Sequence, residues 1–145
     1  MKSAYLIFEL SADALGLARS WLTAEIRRAS KNETLYFPET LIPDTGLCVR
    51  TGDGRLLAVI SLYIDRTRPV GYAGWCVANP ANSFRESHAA IGLLLDALPI
   101  YAGEQGCEYL FTQFGNRSIN RMLDRKGYQF GEETKSYVAR CHGKG

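Results

Sequence analysis

The sequence predicts an α/β protein whose mixed, mostly antiparallel sheet has six to seven strands, with helices on both faces. Short apolar and aromatic runs separated by turn residues are typical of strands. One of them, residues 70–77, is followed by a long amphipathic helical pattern and then by another strand-like run at residues 108–114. A helical connection favours parallel pairing of these two runs, whereas the tight turns between the earlier runs favour antiparallel pairing.

The central helix has a clear start signal in the sequence. Ser83 and Glu86 have the spacing of a capping box, in which each side chain bonds to the other residue's amide. Gly106 predicts the end of the helix, and Pro99 predicts a bend before it. The apolar residues recur at three- and four-residue spacing and form one stripe: Ile91, Leu94, Leu95 and Leu98.

The first half of the chain predicts four further elements. Residues 4–8 form an apolar, aromatic-rich run typical of a strand. Ser11 or Asp13 can cap the helix that comes next. Strands are predicted at residues 47–50 and 55–64, on both sides of a Gly-Asp-Gly turn at residues 52–54. The apolar face predicted for the first helix consists of Leu15, Ala18, Leu22 and Ile26.

The last third of the chain predicts a short helix and a closing hairpin. Asn116 and Ser118 follow the strand at residues 108–114, and either can cap the short helix. Residues 128–130 and 136–141 have the composition of two final strands.

Composition limits the class of protein. With 145 residues, of which 46% are hydrophobic, the chain is long enough for one core, so a single domain over residues 1–145 is expected. A formal net charge of +2 does not favour a nucleic-acid-binding protein. No apolar run has the length of a signal-peptide core or a membrane span, so we expect a cytoplasmic protein without a membrane partner.

The four cysteines are widely spaced and form no Cys-x-x-Cys pair, which argues against a zinc site and against a disulfide scaffold. Cys76 and Cys107 lie in or beside apolar runs and are predicted to be small buried hydrophobic residues. A nucleophilic Cys76 would need a base, and His88 is the only histidine nearby in the sequence. We therefore expect no metal and no cysteine nucleophile.

The start of the central helix carries a second pattern. Residues 85–90 read Arg-Glu-Ser-His-Ala-Ala and resemble the acetyl-CoA-binding motif of the GNAT N-acetyltransferases, Arg/Gln-x-x-Gly-x-Gly/Ala. Arg85 fits the first position and Ala90 the last, whereas His88 stands where the family has its first glycine. A helix start is also a physical site for an anion, because its first amides lack intrahelical acceptors and carry partial positive charge.

A later stretch resembles a second GNAT motif. Residues 116–128 begin with Asn116 and a short helical segment, and they end with charged residues followed by Gly127 and Tyr128. One position departs from the family: Leu123 stands where a tyrosine often serves as the general acid. The two motifs together cover roughly residues 70–130, and the order of strands and helices agrees with the family across that span.

The resemblance implies an N-acetyltransferase that uses acetyl-CoA as cosubstrate and transfers the acetyl group to a primary amine of a small molecule or protein. Asn116 and Ser118 would orient a water or the amine, and Tyr128 is a candidate acid in place of the family tyrosine. Tyr72 and solvent water are the alternatives to Tyr128. The cofactor-binding residues that the resemblance implies are Cys76, Val77, Arg85, Ser87, His88, Ala89, Ala90 and Asn116.

In GNAT-like proteins the region corresponding to residues 32–45 borders the acceptor cleft. Glu33, Glu39 and Asp44 are therefore candidate contacts for an amine, although surface solvation is the plainer interpretation of such carboxylates. The departures at His88 and Leu123 leave a second function open, that of a GNAT-shaped module acting through protein or ligand recognition. A homodimer is also left open.

Overall fold

The fold is seen in a computed structural model that describes residues 4–30, 42–114 and 116–131. The described residues contain five strands in one sheet and three helices. The strands are β1 Tyr5–Glu9, β2 Gly46–Thr51, β3 Leu56–Asp65, β4 Val70–Ala78 and β5 Tyr109–Thr112. The helices are α1 Ala12–Ser30, α2 Phe84–Glu104 and α3 Arg117–Arg125.

The sheet has the strand order β1-β2-β3-β4-β5, with three antiparallel pairs and one parallel pair. The parallel pair is β4 with β5, joined through α2 as the sequence predicts. A mixed, mostly antiparallel sheet is therefore confirmed. The count of five is lower than the predicted six to seven, because residues 128–130 form no strand and residues 136–141 lie outside the described residues.

The helices lie on both faces of the sheet, as predicted. Cys48 of β2 packs in a cluster with Ala14 and Ala18 of α1, whereas the next residue, Val49, packs in the cluster that contains Leu94 of α2. Successive strand residues point to opposite faces, so α1 covers one face, and α2 and α3 cover the other. Within the described ranges, we find no helix whose length and apolar character would allow it to cross a membrane.

Helix α2 begins as its capping box predicts. The Ser83 hydroxyl accepts from the Glu86 amide at 3.2 Å, and the Glu86 carboxylate accepts from the Ser83 amide at 2.8 Å. Gly106, with φ at +92°, follows the end of the helix. The predicted apolar stripe is buried in full: Ile91, Leu94, Leu95 and Leu98.

Pro99 lies inside α2, yet the helix continues to Glu104. Because proline has no N–H, the carbonyl of Leu95, four residues earlier, loses its helical donor. The Tyr128 hydroxyl donates to this carbonyl at 2.7 Å. Burial, with a smaller contribution from the charge of Asp96, raises the pKa of Tyr128 to about 12, so the hydroxyl keeps its proton and remains a donor.

Candidate functional site

The two parallel strands part halfway along β4. Pairing between β4 and β5 ends with Ala73 opposite Thr112, and the Gln113 amide makes one further bond to the Ala73 carbonyl at 3.1 Å. β4 continues to Ala78 and stays paired with β3. A gap therefore opens between β4 and the chain that follows β5, at the carboxyl ends of two neighbouring parallel strands, where open α/β sheets bind ligands.

A β-bulge in β4 marks the point where the strands part. Ser61 is opposite Trp75 and Tyr63 is opposite Tyr72, so β4 places two residues against one residue of β3. A bulge bends its strand and strengthens the local twist, which directs the rest of β4 away from β5. One bulge residue is Gly74, where an added Cβ would lie 2.8 Å from the Tyr72 hydroxyl oxygen.

The backbone of β4 beyond the bulge presents polar groups to the gap. The Asn79 amide donates to the Leu57 carbonyl of β3 at 2.8 Å. Backbone groups alternate in direction along a strand, so those of Val77 also face β3, whereas those of Cys76 and Ala78 face the space that β5 vacates. An extended ligand can pair with such groups as an added strand would. Of the two predicted β4 contacts, Cys76 offers its backbone to the gap and Val77 does not.

Side chains hold the turn between β4 and α2 against β3. The amide nitrogen of the Asn79 side chain donates to the Leu56 carbonyl at 3.0 Å, and that of Asn82 donates to the Leu57 carbonyl at 2.8 Å. The Asn82 side chain also donates to the Ser87 hydroxyl at 3.2 Å. The N-terminus of α2 is thus fixed to the sheet beside the gap.

The negative charge at the start of α2 is largely neutralised. Arg55 forms an ion pair with the Glu86 carboxylate and also donates to the Asn82 side chain at 3.0 Å. The hydrogen bond from the Ser83 amide, together with Arg55, holds the pKa of Glu86 below its usual value. Glu86 therefore opposes anion binding at this helix start less than an unpaired carboxylate would.

Residues 85–90 lie inside α2 rather than in a loop before it. The Ser87 amide donates to the Ser83 carbonyl at 3.1 Å, and helical geometry engages the amides of His88, Ala89 and Ala90 in the same way. The first-turn amides without an intrahelical acceptor are those of Phe84 and Arg85. An anion at this helix start would therefore be bound by those two amides and by the exposed Arg85 side chain.

His88 and Ala90 differ in their surroundings. The exposed His88 ring stacks on Phe84 with ring centroids 5.8 Å apart. Ala90 is fully buried in the core beneath α2, whereas Ala89 is exposed. The side chain of His88 is thus held on the outer surface of α2, at the start of its second turn.

Asn116 caps α3 on the other side of the gap. Its side-chain oxygen accepts from the Ser118 amide at 2.8 Å and from the Ile119 amide at 3.2 Å. The Asn120 side chain donates to the Phe114 carbonyl at 2.9 Å and so fixes α3 to the end of β5. The structure brings Asn116 and Ser118 to the chain that follows β5, where capping already engages the Asn116 oxygen.

The side chains considered for acid or nucleophilic roles are Tyr128, Tyr72 and Cys76, and Leu123 stands at the position of the family tyrosine. Leu123 is 8% exposed and faces the core together with Ile119 and Met122. The Tyr128 hydroxyl is bonded to Leu95, and burial raises the pKa of the Cys76 thiol to about 12. In the described part of the chain, no group of three His, Cys, Asp or Glu residues could hold a metal ion.

Of the three carboxylates predicted to contact an amine, one lies within the described residues. Asp44 is exposed just before β2. Glu33 and Glu39 lie outside the described residues.

No protein-family model and no curated protein matches the sequence, but solved structures match it over nearly its whole length. An aminoglycoside acetyltransferase from an uncultured soil metagenomic sample, in complex with sisomicin, has a TM-score of 0.60 at 11% identity, covering 95% of this chain and 97% of that one. The aminoglycoside N-acetyltransferase AAC(6')-Iy in complex with CoA has a TM-score of 0.59 at 15% identity, with 97% and 98% covered. Ribosomal-protein-alanine N-acetyltransferase from Brucella melitensis biovar Abortus 2308 has a TM-score of 0.59 at 18% identity, with 94% and 99% covered.

This chain has the GNAT fold. At identities of 11–18%, the likeness is one of fold, and it does not name a substrate.

An aromatic cluster on the α1 side of the GNAT sheet is absent from the sequence-based predictions. Tyr63 and Tyr72 stack with ring centroids 6.0 Å apart, and the Trp75 indole N–H donates to the Tyr63 hydroxyl at 3.1 Å. The Tyr72 hydroxyl donates to the Gln113 side chain at 2.8 Å and so spans the two parting strands. The aromatic content of the strands is visible in the sequence, but the bulge that brings Tyr72 and Trp75 together is not.

Proposed function

We propose that this protein is an acetyl-CoA-dependent N-acetyltransferase that acts on a primary amine of a small molecule or protein. The observation that carries the proposal is the gap that opens between β4 and β5 beyond Ala73, beside the fixed N-terminus of α2. Similar solved structures hold CoA or the bisubstrate analogue CoA-S-monomethyl-acetylneamine. The proposal includes a single domain over residues 1–145 and a cytoplasmic location.

The proposed cosubstrate position follows from two sets of donors. The pantetheine arm would lie along β4 and pair with the backbone groups of Cys76 and Ala78 that face the gap. The pyrophosphate would lie at the start of α2, against the Arg85 side chain and the first two amides of the helix. His88 stands where the GNAT motif has a glycine, so the backbone cannot come as close to the pyrophosphate. We therefore expect weaker binding than in proteins that have the glycine.

The proposed reaction needs few side chains. The neutral amine attacks the thioester carbonyl carbon, the C–S bond breaks, CoA leaves as a thiolate, and the extra proton of the amine passes to solvent. The Cys76 amide faces the gap and can donate to the developing oxyanion. Because Leu123 has no acidic group and the Tyr128 hydroxyl is bonded to Leu95, water or the partly exposed Tyr72 hydroxyl would protonate the thiolate. Protonation by water alone would cost roughly 10²–10⁴ in rate relative to a positioned acid.

The acceptor would approach from the α1 side of the sheet. On the α2 side, the region around the gap is filled by Leu62, Ala73 and Leu110 of the main core cluster. On the α1 side, Phe111 is 62% exposed and Tyr72 is partly exposed. Among the described residues, the more exposed side chains at this point of the sheet lie on the α1 side, which favours approach from that face.

A second candidate function is a GNAT-shaped binding module. It is favoured by the helical position of residues 85–90, whose amides from Ser87 onward are engaged, and by the burial of Leu123. Such a module would bind a protein or ligand without transferring an acetyl group.

Calorimetry with acetyl-CoA and with CoA separates the two functions. We expect measurable binding that Arg85→Ala weakens by about threefold to tenfold, as is typical for the loss of one exposed charged hydrogen bond of about 1 kcal/mol. Arg68→Ala is the matched control, because Arg68 is also exposed but lies before β4, at the opposite end of that strand. Absence of heat and of any thermal shift with either compound would contradict the enzyme and favour the module.

A further inference from the structure

The first strand, β1, is an unguarded edge of the sheet. The strand order places β1 at one end, so within the described residues its outer side has no neighbouring strand. Natural proteins usually guard such edges with charges, proline or bulges, because the free backbone groups pair readily with other chains. Residues 5–8 include no charged residue and no proline, and the register with β2 runs without a shift. The edge of β1 is therefore open to another strand.

Large apolar side chains of β1 are exposed on both faces of the sheet. Leu6, Ile7 and Phe8 are between 39% and 46% exposed. Phe8 is directly opposite Cys48, which packs against α1, and Leu6 projects to the same face. Ile7 projects to the α2 face, because it is opposite Val49 of the main core cluster. A contiguous apolar surface of this kind is typical of a protein–protein contact.

Helix α1 adds to this apolar surface. Asp13 forms an ion pair with Arg50 at 2.8 Å, and Arg50 is directly opposite Leu6. Leu17 is four residues after Asp13, so the two share one flank of α1. Leu17 is 45% exposed. The α1 side of the edge therefore presents Leu17 together with Leu6 and Phe8.

The direction of the backbone groups of β1 follows from one hydrogen bond. The Leu10 amide donates to the Gly46 carbonyl of β2 at 3.0 Å. Bonding alternates along an antiparallel strand, so every second residue before Leu10 also bonds to β2. The residues between them direct their amides and carbonyls away from the sheet. These outward residues are Tyr5, Ile7 and Glu9.

The outward groups are arranged symmetrically about Ile7. When a second copy of β1 lies antiparallel on a two-fold axis at Ile7, the two Ile7 residues are opposite each other, and Tyr5 is opposite Glu9 of the other copy. Each outward amide then meets an outward carbonyl, as in a regular antiparallel ladder. On the α1 side, Leu6 of one copy lies against Phe8 of the other as an apolar cross-strand pair. The two Glu9 carboxylates are at opposite ends of the paired strands, so like charges are kept apart.

The ends of the described ranges favour a second copy over another part of this chain as the occupant of the edge. Residues 31–41 lead to Ile42, which packs in a cluster with Trp75 of β4. Residues 132–145 follow α3, which is bonded to the end of β5 at the other edge of the sheet. Residues 1–3 are too few to form a turn and fold back along β1.

We propose that β1 pairs with β1 of a second copy of this chain, so that the two sheets join into one continuous sheet across a two-fold axis. The same surface is used by both copies. Because the paired strand has only five residues, the dimer should have a micromolar dissociation constant. β1 is at the opposite end of the strand order from the gap between β4 and β5, so this inference does not depend on the proposed function.

Sedimentation equilibrium of the full chain, from low micromolar to several hundred micromolar, tests for the dimer. The wild type should follow a reversible monomer–dimer equilibrium. Ile7→Lys places like charges opposite each other on the axis and should weaken dimerisation about tenfold or more. Phe130→Lys, at an exposed apolar residue after α3, is the matched control and should dimerise as the wild type does. A dimer unaffected by Ile7→Lys would overturn the inference. So would a wild type that stays monomeric, and the edge would then be left to a strand of another protein.

A mixture of two variants tests the two-fold axis and guards against misfolding. Ile7→Lys and Ile7→Glu should each be monomeric alone at low ionic strength, because position 7 then faces its own charge. An equimolar mixture should form a heterodimer, because opposite charges then meet on the axis. Circular dichroism and thermal melting check that both variants are folded. If both are folded and the mixture stays monomeric, the inference is overturned.

Calorimetry with CoA separates this inference from the proposed function. Ile7→Lys should bind CoA as the wild type does, because the substitution lies at the far edge of the sheet. If neither protein binds CoA while the wild type still dimerises through Ile7, the proposed function is overturned and the inference stands.

Oxidative cross-linking tests the register of the paired strands. Directly opposed residues of a hydrogen-bonded pair have Cα atoms about 5.5 Å apart, a distance that a disulfide spans. Ile7→Cys should therefore give a disulfide-linked dimer under mild oxidation, above the background from the native cysteines of the wild type. Leu6→Cys should give much less, because the two Leu6 residues are not opposite each other. Equal cross-linking of the two variants would contradict the two-fold register and overturn the inference.

Discussion

The two strands that part at Ala73 are held by different means. On the β4–α2 side (residues 70–90), β4 stays paired with β3 to Ala78, and the turn after it makes several side-chain hydrogen bonds to β3. On the β5–α3 side (residues 109–128), β5 pairs over only four residues. The chain after β5 is held by the buried residues of α3 and by a few separate contacts: the Tyr72–Gln113, Asn120–Phe114 and Tyr128–Leu95 hydrogen bonds and the Lys126–Asp96 ion pair.

This difference predicts where a substitution will lower the stability of the protein most. Bonds on the β4–α2 side are numerous and partly exposed, so water and neighbouring bonds can replace a lost one. On the β5–α3 side, the apolar side chains of α3 are buried, and the Leu95 carbonyl depends on Tyr128 because Pro99 has no N–H to donate. Single changes should therefore cost more stability on the β5–α3 side, while the more securely held β4–α2 side provides the proposed contacts with the cosubstrate.

The largest effect is expected from Leu123→Tyr, which restores the residue type of the GNAT motif. Leu123 is buried beside Ile119 and Met122, so the larger ring overpacks the core and places a hydroxyl there, at a cost of about 3 kcal/mol in the free energy of unfolding. Urea denaturation measures this cost. Arg121→Tyr, at an exposed position of the same helix, is the control and should change little. Higher transferase turnover without destabilisation would show instead that position 123 reaches the gap.

Tyr128→Phe should be the next most damaging change. It leaves the Leu95 carbonyl without a donor and should cost about 2 kcal/mol in the free energy of unfolding. Pro99→Ala supplies the missing helical N–H to the same carbonyl. In that background, Tyr128→Phe should cost clearly less, and a double-mutant cycle measures the coupling. If the stability changes of Tyr128→Phe and Pro99→Ala simply add, the Tyr128 hydroxyl does not compensate for the N–H that Pro99 lacks.

Ser83→Ala should have a smaller effect, because it disturbs the β4–α2 side. The variant loses the cap on the Glu86 amide and should lower the free energy of unfolding by about 1 kcal/mol. Ser83→Thr retains a capping hydroxyl and should recover most of the loss. If Ser83→Ala lowers the free energy of unfolding more than Tyr128→Phe does, the β4–α2 side is the more sensitive of the two, contrary to our expectation.

The smallest effect concerns acid stability. The Ser83 amide and Arg55 lower the pKa of Glu86 in the folded protein, so its contribution is present above pH 4.5 and is lost as the pH falls through the lowered folded value. Glu86→Gln should therefore flatten the fall in stability below about pH 4.5. Arg55→Met should flatten it less, because the Ser83 amide remains. If Glu86→Gln leaves the fall in the free energy of unfolding at low pH unchanged, Glu86 does not contribute to acid stability.

Sequence alone predicted the elements whose signals lie within one segment. The capping box joins Ser83 to Glu86, three residues away, and the stripe from Ile91 to Leu98 repeats within one helix, so local spacing was sufficient. The parallel pairing of β4 and β5 followed from the helix between them. The predicted strand at residues 128–130 was wrong, because Tyr128 instead turns toward α2.

How side chains from distant segments meet depends on tertiary packing, which local sequence patterns do not encode. The bond from Tyr128 to Leu95 spans 33 positions and depends on a carbonyl that Pro99 leaves free. The inward direction of Leu123 and the stacking of Tyr63 on Tyr72 beside the bulge also depend on how the strands and helices pack together. The periodicity of apolar residues predicts which side chains share a face of a helix or strand. Packing against other elements determines what that face contacts, and the chemistry of the site depends on those contacts.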